Sequence, residues 1–511
     1  MALRPYFTRA AGAVRPALAR RLSVDRRALV ALRAALGALL LADLLLRARS
    51  LAFFYTDTGA LPRSALVARY PLTANLSIHA VFGEVWWVAL LFVAAGVAAL
   101  ALLFGYRTKA AAICSLLLLV SLHARNPLVL NGGDSLLRRT LLWSLFLPLG
   151  SGLALRDRGR CRHPAAVGLL LQPIVLYVVN AVIKLRGDAW PSGRAVRMVF
   201  SIESLTVGLG EQLAGYPNVL TGLGIAWVAL LCCSPLLVLA TGHFRTIVVI
   251  AFASAHAGMS ITLGVGLFPL VSLAALLPYL PPAAWDSVER PWNVIARRAR
   301  GVGTGVRACL IRAGRALSGT SRSPLRRVVA VGEQRTNRIV ALVGDKGVLA
   351  AAKGAGRGLA TALLIIVVVW NAAALGYVEA PSTEVVEISP EETRWDMFAP
   401  SPPTEDVWYV AVGTLDSGER VNVIHGGDPE MNRSDRQWGA YPSARWRKYL
   451  EVVRWSGDDE LRRQFALGLC ARWNATHSTH VESLTVRVLS QPTRPNATEP
   501  TQLSSARTFG C

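Results

Sequence analysis

The sequence predicts an all-α polytopic membrane domain of about nine transmembrane helices, followed by a small extracytoplasmic α+β domain. Three observations carry this fold class. The 511-residue chain is 53% hydrophobic and only 17% charged, with mean hydropathy +0.39, the composition of a multi-pass membrane protein. Nine apolar windows fall at 28–48, 85–104, 110–130, 135–153, 165–185, 218–240, 244–263, 264–280 and 359–376. The net charge of +23 is also unevenly spread: residues 281–358 carry 15 basic and 4 acidic residues, whereas 379–511 carry 14 and 19.

Taken in order, residues 1–27 hold seven Arg against the single Asp25. They lack a short apolar core followed by a small-residue cleavage site, so they read as a basic cytoplasmic segment, with the first span as anchor. Nine crossings from a cytoplasmic N-terminus place 1–27, 154–163 and 281–358 inside. They place 49–84, 186–217 and the chain from 377 onward outside, as expected for a multi-pass protein of the cell (plasma) membrane. This is the asymmetry of the positive-inside rule, and it accounts for the basic excess without a nucleic-acid partner. The sequons at Asn75, Asn432, Asn474 and Asn496 all fall on the outer side, making the chain a glycoprotein candidate. Windows 244–263 and 264–280 read as two short spans or as one span plus a re-entrant piece, because Gly258, Gly264, Gly266 and Phe268-Pro269 favour a break.

Residues 28–280 form the predicted membrane domain, and 281–358 a basic cytoplasmic linker. Amphipathic helices around 294–317 would lie on anionic headgroups, with solvated coil as the alternative. After a last span at 359–376, residues 377–511 show a hairpin pattern over 408–424 around Asp416-Ser417-Gly418. Helical stretches follow at 444–453 and 459–476, then a strand at 481–491. Cys470 and Cys511 are the two cysteines on the outer side, and whether they pair is open. Trp395, Met397 and Phe398, in the aromatic, Pro-rich string 394–403, suit either the bilayer interface or packing on the tail domain. CxxC, HExxH, P-loop and GxGxxG patterns do not occur. His477 and His480 lack a third ligand nearby, so no metal site is expected.

The polar corner between windows 110–130 and 135–153 concentrates His123, Arg125, Asn126, Asn131, Gly132, Gly133, Asp134, Arg138 and Arg139. Ionisable groups at membrane depth must be paired or line a wet cavity, which makes the corner a candidate site. Asn131-Gly132-Gly133-Asp134 offers backbone amides to a ligand, or is a tight turn with Asp134 capping the next helix. Arg125, Arg138 and Arg139 need partners, for which Asp57 and Asp134 are candidates. Arg138 shares a helix face with Asp134. His123 and His256 read first as helix–helix hydrogen-bonding groups. Lys184 ends the apolar run LLLQPIVLYVVNAVIKL. It is either a desolvated amine able to take a proton or a snorkelling lysine with its ammonium at the interface.

Several motifs resemble the HTTM (horizontally transferred transmembrane) domain family, relatives of the vitamin K-dependent gamma-carboxylase. They are Phe54-Tyr55-Thr56-Asp57-Thr58-Gly59 with Leu61-Pro62-Arg63, Gly105-Tyr106-Arg107-Thr108, Ser121-Leu122-His123-Ala124-Arg125-Asn126-Pro127, Asn131-Gly132-Gly133-Asp134, and Lys184 with Gly187-Asp188 and Trp190. The resemblance covers about 25–280 well and the tail more loosely, and the 394–403 string looks like the one that follows this domain in prokaryotic members. It implies a membrane-embedded enzyme with Lys184 as base and His123 as a weaker candidate. Arg125, Asn131, Asp134, Arg138, Asp188 and Trp190 would orient a lipidic or quinone-like substrate or cofactor. Two departures count against glutamate carboxylation. Asn131 stands where the carboxylase has its assisting histidine, and the large luminal propeptide-binding region has no counterpart. A non-catalytic scaffold or lipid- or protein-binding module is the alternative.

Overall fold

The structure, a computed structural model, describes residues 18–155, 157–319, 346–378, 397–424, 426, 441–494, 497–498 and 500–511. Trp395, the sequons Asn432 and Asn496, and linker residues 320–345 lie outside the described residues. A two-residue antiparallel pair, β1 (Val24–Asp25) with β2 (Arg160–Cys161), opens the fold. The larger helices are α1 (Arg26–Ala48), α2 (Val85–Phe104), α3 (Thr108–Arg125), α4 (Gly132–Ser144) and α5 (Pro164–Leu185). Then come α6 (Pro217–Cys232), α7 (Gly242–Thr262), α8 (Phe268–Leu276), α9 (Pro282–Gly319) and α10 (Lys346–Ala374).

Six of these are long and apolar enough to cross a membrane: α1, α2, α3, α5, α7 and the 354–374 part of α10. Counting 268–279 with 282–297, which meet at a bend of 118°, as one broken span gives seven. The windows 135–153, 218–240 and 264–280 fold as helices of 13, 16 and 9 residues. Sequence explains the shortening. Pro148 with left-handed Gly150 and Gly152 follows α4, Ser234-Pro235 follows α6, and Pro278 follows α8. Each proline removes an amide donor and clashes with the preceding turn.

Local chemistry sets the other ends. The Asp25 side chain accepts from Arg27 N to start α1, Pro164 occupies the first turn of α5, and left-handed Gly105 stops α2. Gly37 lets α1 and α2 approach closely, since a Cβ there would lie 2.5 Å from Leu103 N, the small-residue packing common between membrane helices.

Polar contacts sort the helix ends into two groups. At one end Arg27 meets Asp286 and Glu289, Arg33 donates to Gly152 O, Lys109 to Leu147 O, and Arg245 to Arg21 O. At the other, Arg47 meets Asp134, Asn126 donates to Phe54 O, Arg186 to Leu375 O, and Val207 N to Thr262 O.

The tail forms an antiparallel sheet in the order β4-β3-β5, with β7 on the free side of β5. Its strands are β3 (Glu405–Leu415), β4 (Arg420–Asn422), β5 (Val481–Arg494), β6 (Ala497–Thr498) and β7 (Gln502–Gly510), with helices α11 (Ala444–Trp455) and α12 (Asp459–Asn474) packed on it. The hairpin, both helices and the 481–491 strand fall where the residue pattern predicts them, and Gly418 supplies the left-handed turn. Cys470 and Cys511 are disulfide-bonded. The tail does not keep a separate core. Tyr409, Trp446, Tyr449 and Phe465 pack in one cluster with Phe53, Phe54 and Tyr55 from the connection after α1, and Phe53 stacks on Trp446 at 4.3 Å.

Candidate functional site

The structure divides the sequence-derived candidates between two places. The polar corner is a closed ion network. Asn131 caps α4 with a capping box: its Oδ1 accepts from Gly133 N and Asp134 N, while Asp134 Oδ2 accepts from Asn131 N. Asp134 Oδ1 accepts from Arg47 Nη2 at 2.6 Å, and Arg47 Nε donates to Asp43 at 2.7 Å. Arg445, arriving from the tail on α11, grips both Asp134 oxygens at 2.9 and 3.0 Å and also reaches Asp43. Tyr55 OH accepts from Arg47 Nη1 at 2.7 Å.

His123 lies inside this network, with Nε2 3.1 Å from Arg47 Nη2 and Nδ1 3.2 Å from Arg138 Nη1. A neutral ring can accept from only one of the two. Arg125 belongs to a neighbouring pair: it donates to Leu61 O at 2.8 Å and lies 3.4 Å from Asp57, which Arg63 also holds. Ligand atoms of Asp43, His123 and Asp134 come within 4.8 Å of one another. That is close enough for a metal triad, yet Arg47 and Arg445 already engage both carboxylates.

Lys184 and Trp190 stand elsewhere, on a cavity of 260 Å³ between α5, α6 and α7. Its walls are mostly apolar: Leu176, Val199, Phe200, Trp227, Met259 and Phe268 among them, with polar side chains from Tyr177, Asn180, Lys184, Ser254 and Thr262. The Lys184 side chain is buried and its Nζ donates to Met397 O at 2.8 Å. The same nitrogen lies 3.5 Å from the centre of the Trp190 ring. Trp190 Nε1 in turn donates to Phe398 O at 2.9 Å, so Met397 and Phe398, with left-handed backbone at φ +35° and +64°, close this side of the cavity. Deeper in, Tyr177 OH and His256 Nε2 are 2.9 Å apart, and His256 Nδ1 is buried without a partner among the described residues. Asp188 is exposed in the turn before Trp190, and its carbonyl accepts from Ser192.

Lys184 and Trp190 are thus brought together. Arg125, Asn131, Asp134, Arg138 and His123 share a different region, and none of them lines the cavity. Asp43 and Arg47 went unremarked in the sequence, although a carboxylate and an arginine four apart in the first span were a visible signal. Nothing local marks Arg445, which enters from 311 positions beyond Asp134. No family model, no curated protein and no solved structure matches the chain.

Proposed function

We propose that this chain is a multi-pass membrane protein of the HTTM class whose cavity beside Lys184 holds an apolar guest. Nine crossings put the N-terminus in the cytoplasm and the tail domain outside the cell membrane. The two groups of helix ends support this reading, with Arg21, Arg27 and Arg160 at one and the tail's Arg445 at the other. So does the Cys470–Cys511 disulfide, because such bonds persist in oxidising compartments.

The observation that carries the functional reading is a buried lysine amine on a largely apolar cavity. A ring-bearing, quinone-like guest suits the apolar walls and the few polar side chains among them. Such a group supplies ring oxygens and redox chemistry. Lys184 would bind and orient one of those oxygens and hold or pass a proton there, and the Met397–Phe398 segment would exclude water. A base role uses the Nζ lone pair, which the hydrogen bond donated to the Met397 carbonyl leaves unused. A second reading, a non-catalytic scaffold, is favoured by the polar corner, whose carboxylates are spent on holding α1, α4 and α11 together.

The test is to purify the protein with native lipids and identify small molecules that co-purify. An oxygen-bearing apolar compound should accompany the wild type and be depleted about tenfold or more, some 1.4 kcal/mol of binding, in Lys184→Met. Gly258→Phe, whose side chain would project into the cavity, should deplete it as well. A folded Lys184→Met protein that retains the compound, or a wild type carrying bulk phospholipid alone, removes the guest-binding reading and leaves the scaffold.

A further inference from the structure

At the opposite end of the bundle lies a recess of 240 Å³ lined by Arg20, Arg21, Asp25, Arg160, Thr241 and Arg245. We propose that this recess binds a phosphate-bearing anion. It lies apart from the Lys184 cavity and does not depend on the reading given to that cavity.

Two independent features point to an anion. The first is Arg245, only 7% exposed. Its Nη1 donates to Arg21 O at 3.2 Å, while Nε and Nη2 are buried with no hydrogen-bond partner among the described residues. A buried guanidinium with two idle donors is costly unless a ligand takes them. The second is the start of α7. Thr241 makes no side-chain cap hydrogen bond, and Thr241 and Gly242 both line the recess, which puts the positive end of this 21-residue helix's dipole beside it.

Charge agrees with both. Four arginines line the recess against the single Asp25, and that carboxylate is already taken by Arg27, whose N, Nε and Nη2 all donate to it. Arg160 is exposed, with Nη1 donating to Arg20 O at 3.1 Å, so its other donors can reach an incoming group. The planar fork of Arg245 suits two phosphate oxygens while the α7 amides take a third. A phospholipid headgroup and a free phosphate share this chemistry. The position at the ends of apolar helices admits the first, and the open mouth admits the second.

The experiment uses the full chain in neutral detergent, titrated with phosphatidylglycerol, phosphatidylcholine and inorganic phosphate and read by native mass spectrometry and melting temperature. Phosphatidylglycerol should bind more tightly than phosphatidylcholine, and each of Arg160→Gln and Arg245→Gln should weaken it about fivefold. Arg160 is exposed, so its variant tests the site even where Arg245→Gln does not fold, and Arg245→Lys supplies a milder change at the buried position. Stabilisation by inorganic phosphate that is lost in the same variants, without a preference for phosphatidylglycerol, keeps the anion site and assigns it to a soluble ligand. Equal binding of both lipids with no effect of phosphate, or variants indistinguishable from wild type, overturns the proposal.

Discussion

Arg47 and Arg445 hold Asp43 and Asp134 between them, and this pairing fixes what a change at any one of the four should do. Removing one partner of a buried ion pair leaves the other charged and dry, at a cost of about 3–5 kcal/mol. Arg445→Ala or Asp134→Asn should therefore lower the melting temperature sharply, and Arg445→Ala should also make the tail more open to protease. Unchanged melting in both variants would show that the network is not structural. His79 gives a pH prediction. Burial, with Arg125 and Arg47 as like charges nearby, pulls it down to about 3, while the unfolded chain titrates near 6.5. Its neutral ring therefore contributes stability that is complete above about pH 6.5 and lost as pH falls toward 3. Melting of the wild type should drop more between pH 7 and about pH 4.5 than melting of His79→Gln; equal drops would exclude His79 as the cause. At this scale the sequence disclosed the cost of the polar corner, since ionisable groups in an apolar run must be satisfied, but not how the cost is met. Arg125 found Asp57 as its residues suggested. Arg138 faces His123 rather than pairing with Asp134 at hydrogen-bond distance, because Arg47 and Arg445 fill that carboxylate first.

Close approach governs the elements. A Cβ on Gly168 of α5 would sit 2.7 Å from the buried Trp143 ring of α4. Gly168→Val should cost about 1–3 kcal/mol, the usual range for overpacking, measured as loss of melting temperature. Gly96, which meets nothing within 4 Å, serves as the control, and an equal response to Gly96→Val would argue against a packing cause. Element types were partly legible from periodicity: the 408–424 hairpin, the 481–491 strand and both tail helices follow their residue patterns, whereas β7 (Gln502–Gly510) was not expected. Element lengths were less so. Apolar windows measure hydropathy and do not register where Pro148, Pro235 and Pro278 stop hydrogen bonding, which is why three windows contain helices of 16 residues or fewer.

For the whole molecule, the arrangement of helix ends makes a topological prediction. Cysteines introduced at Ser318 and Ser417 should label from opposite sides of the membrane in intact cells, and labelling from the same side would refute nine crossings. Composition and charge asymmetry by themselves determined a membrane-compatible helical chain with a distinct, acidic tail, because solvent preference is a property summed over residues. Only the tertiary structure decided that the tail shares a core with the α1–α2 connection, that Arg445 completes the polar corner, and that Lys184 stands on a cavity which that corner does not reach. Those outcomes depend on which groups meet across hundreds of residues, and a buried charge or a void takes its meaning from neighbours that no local pattern names.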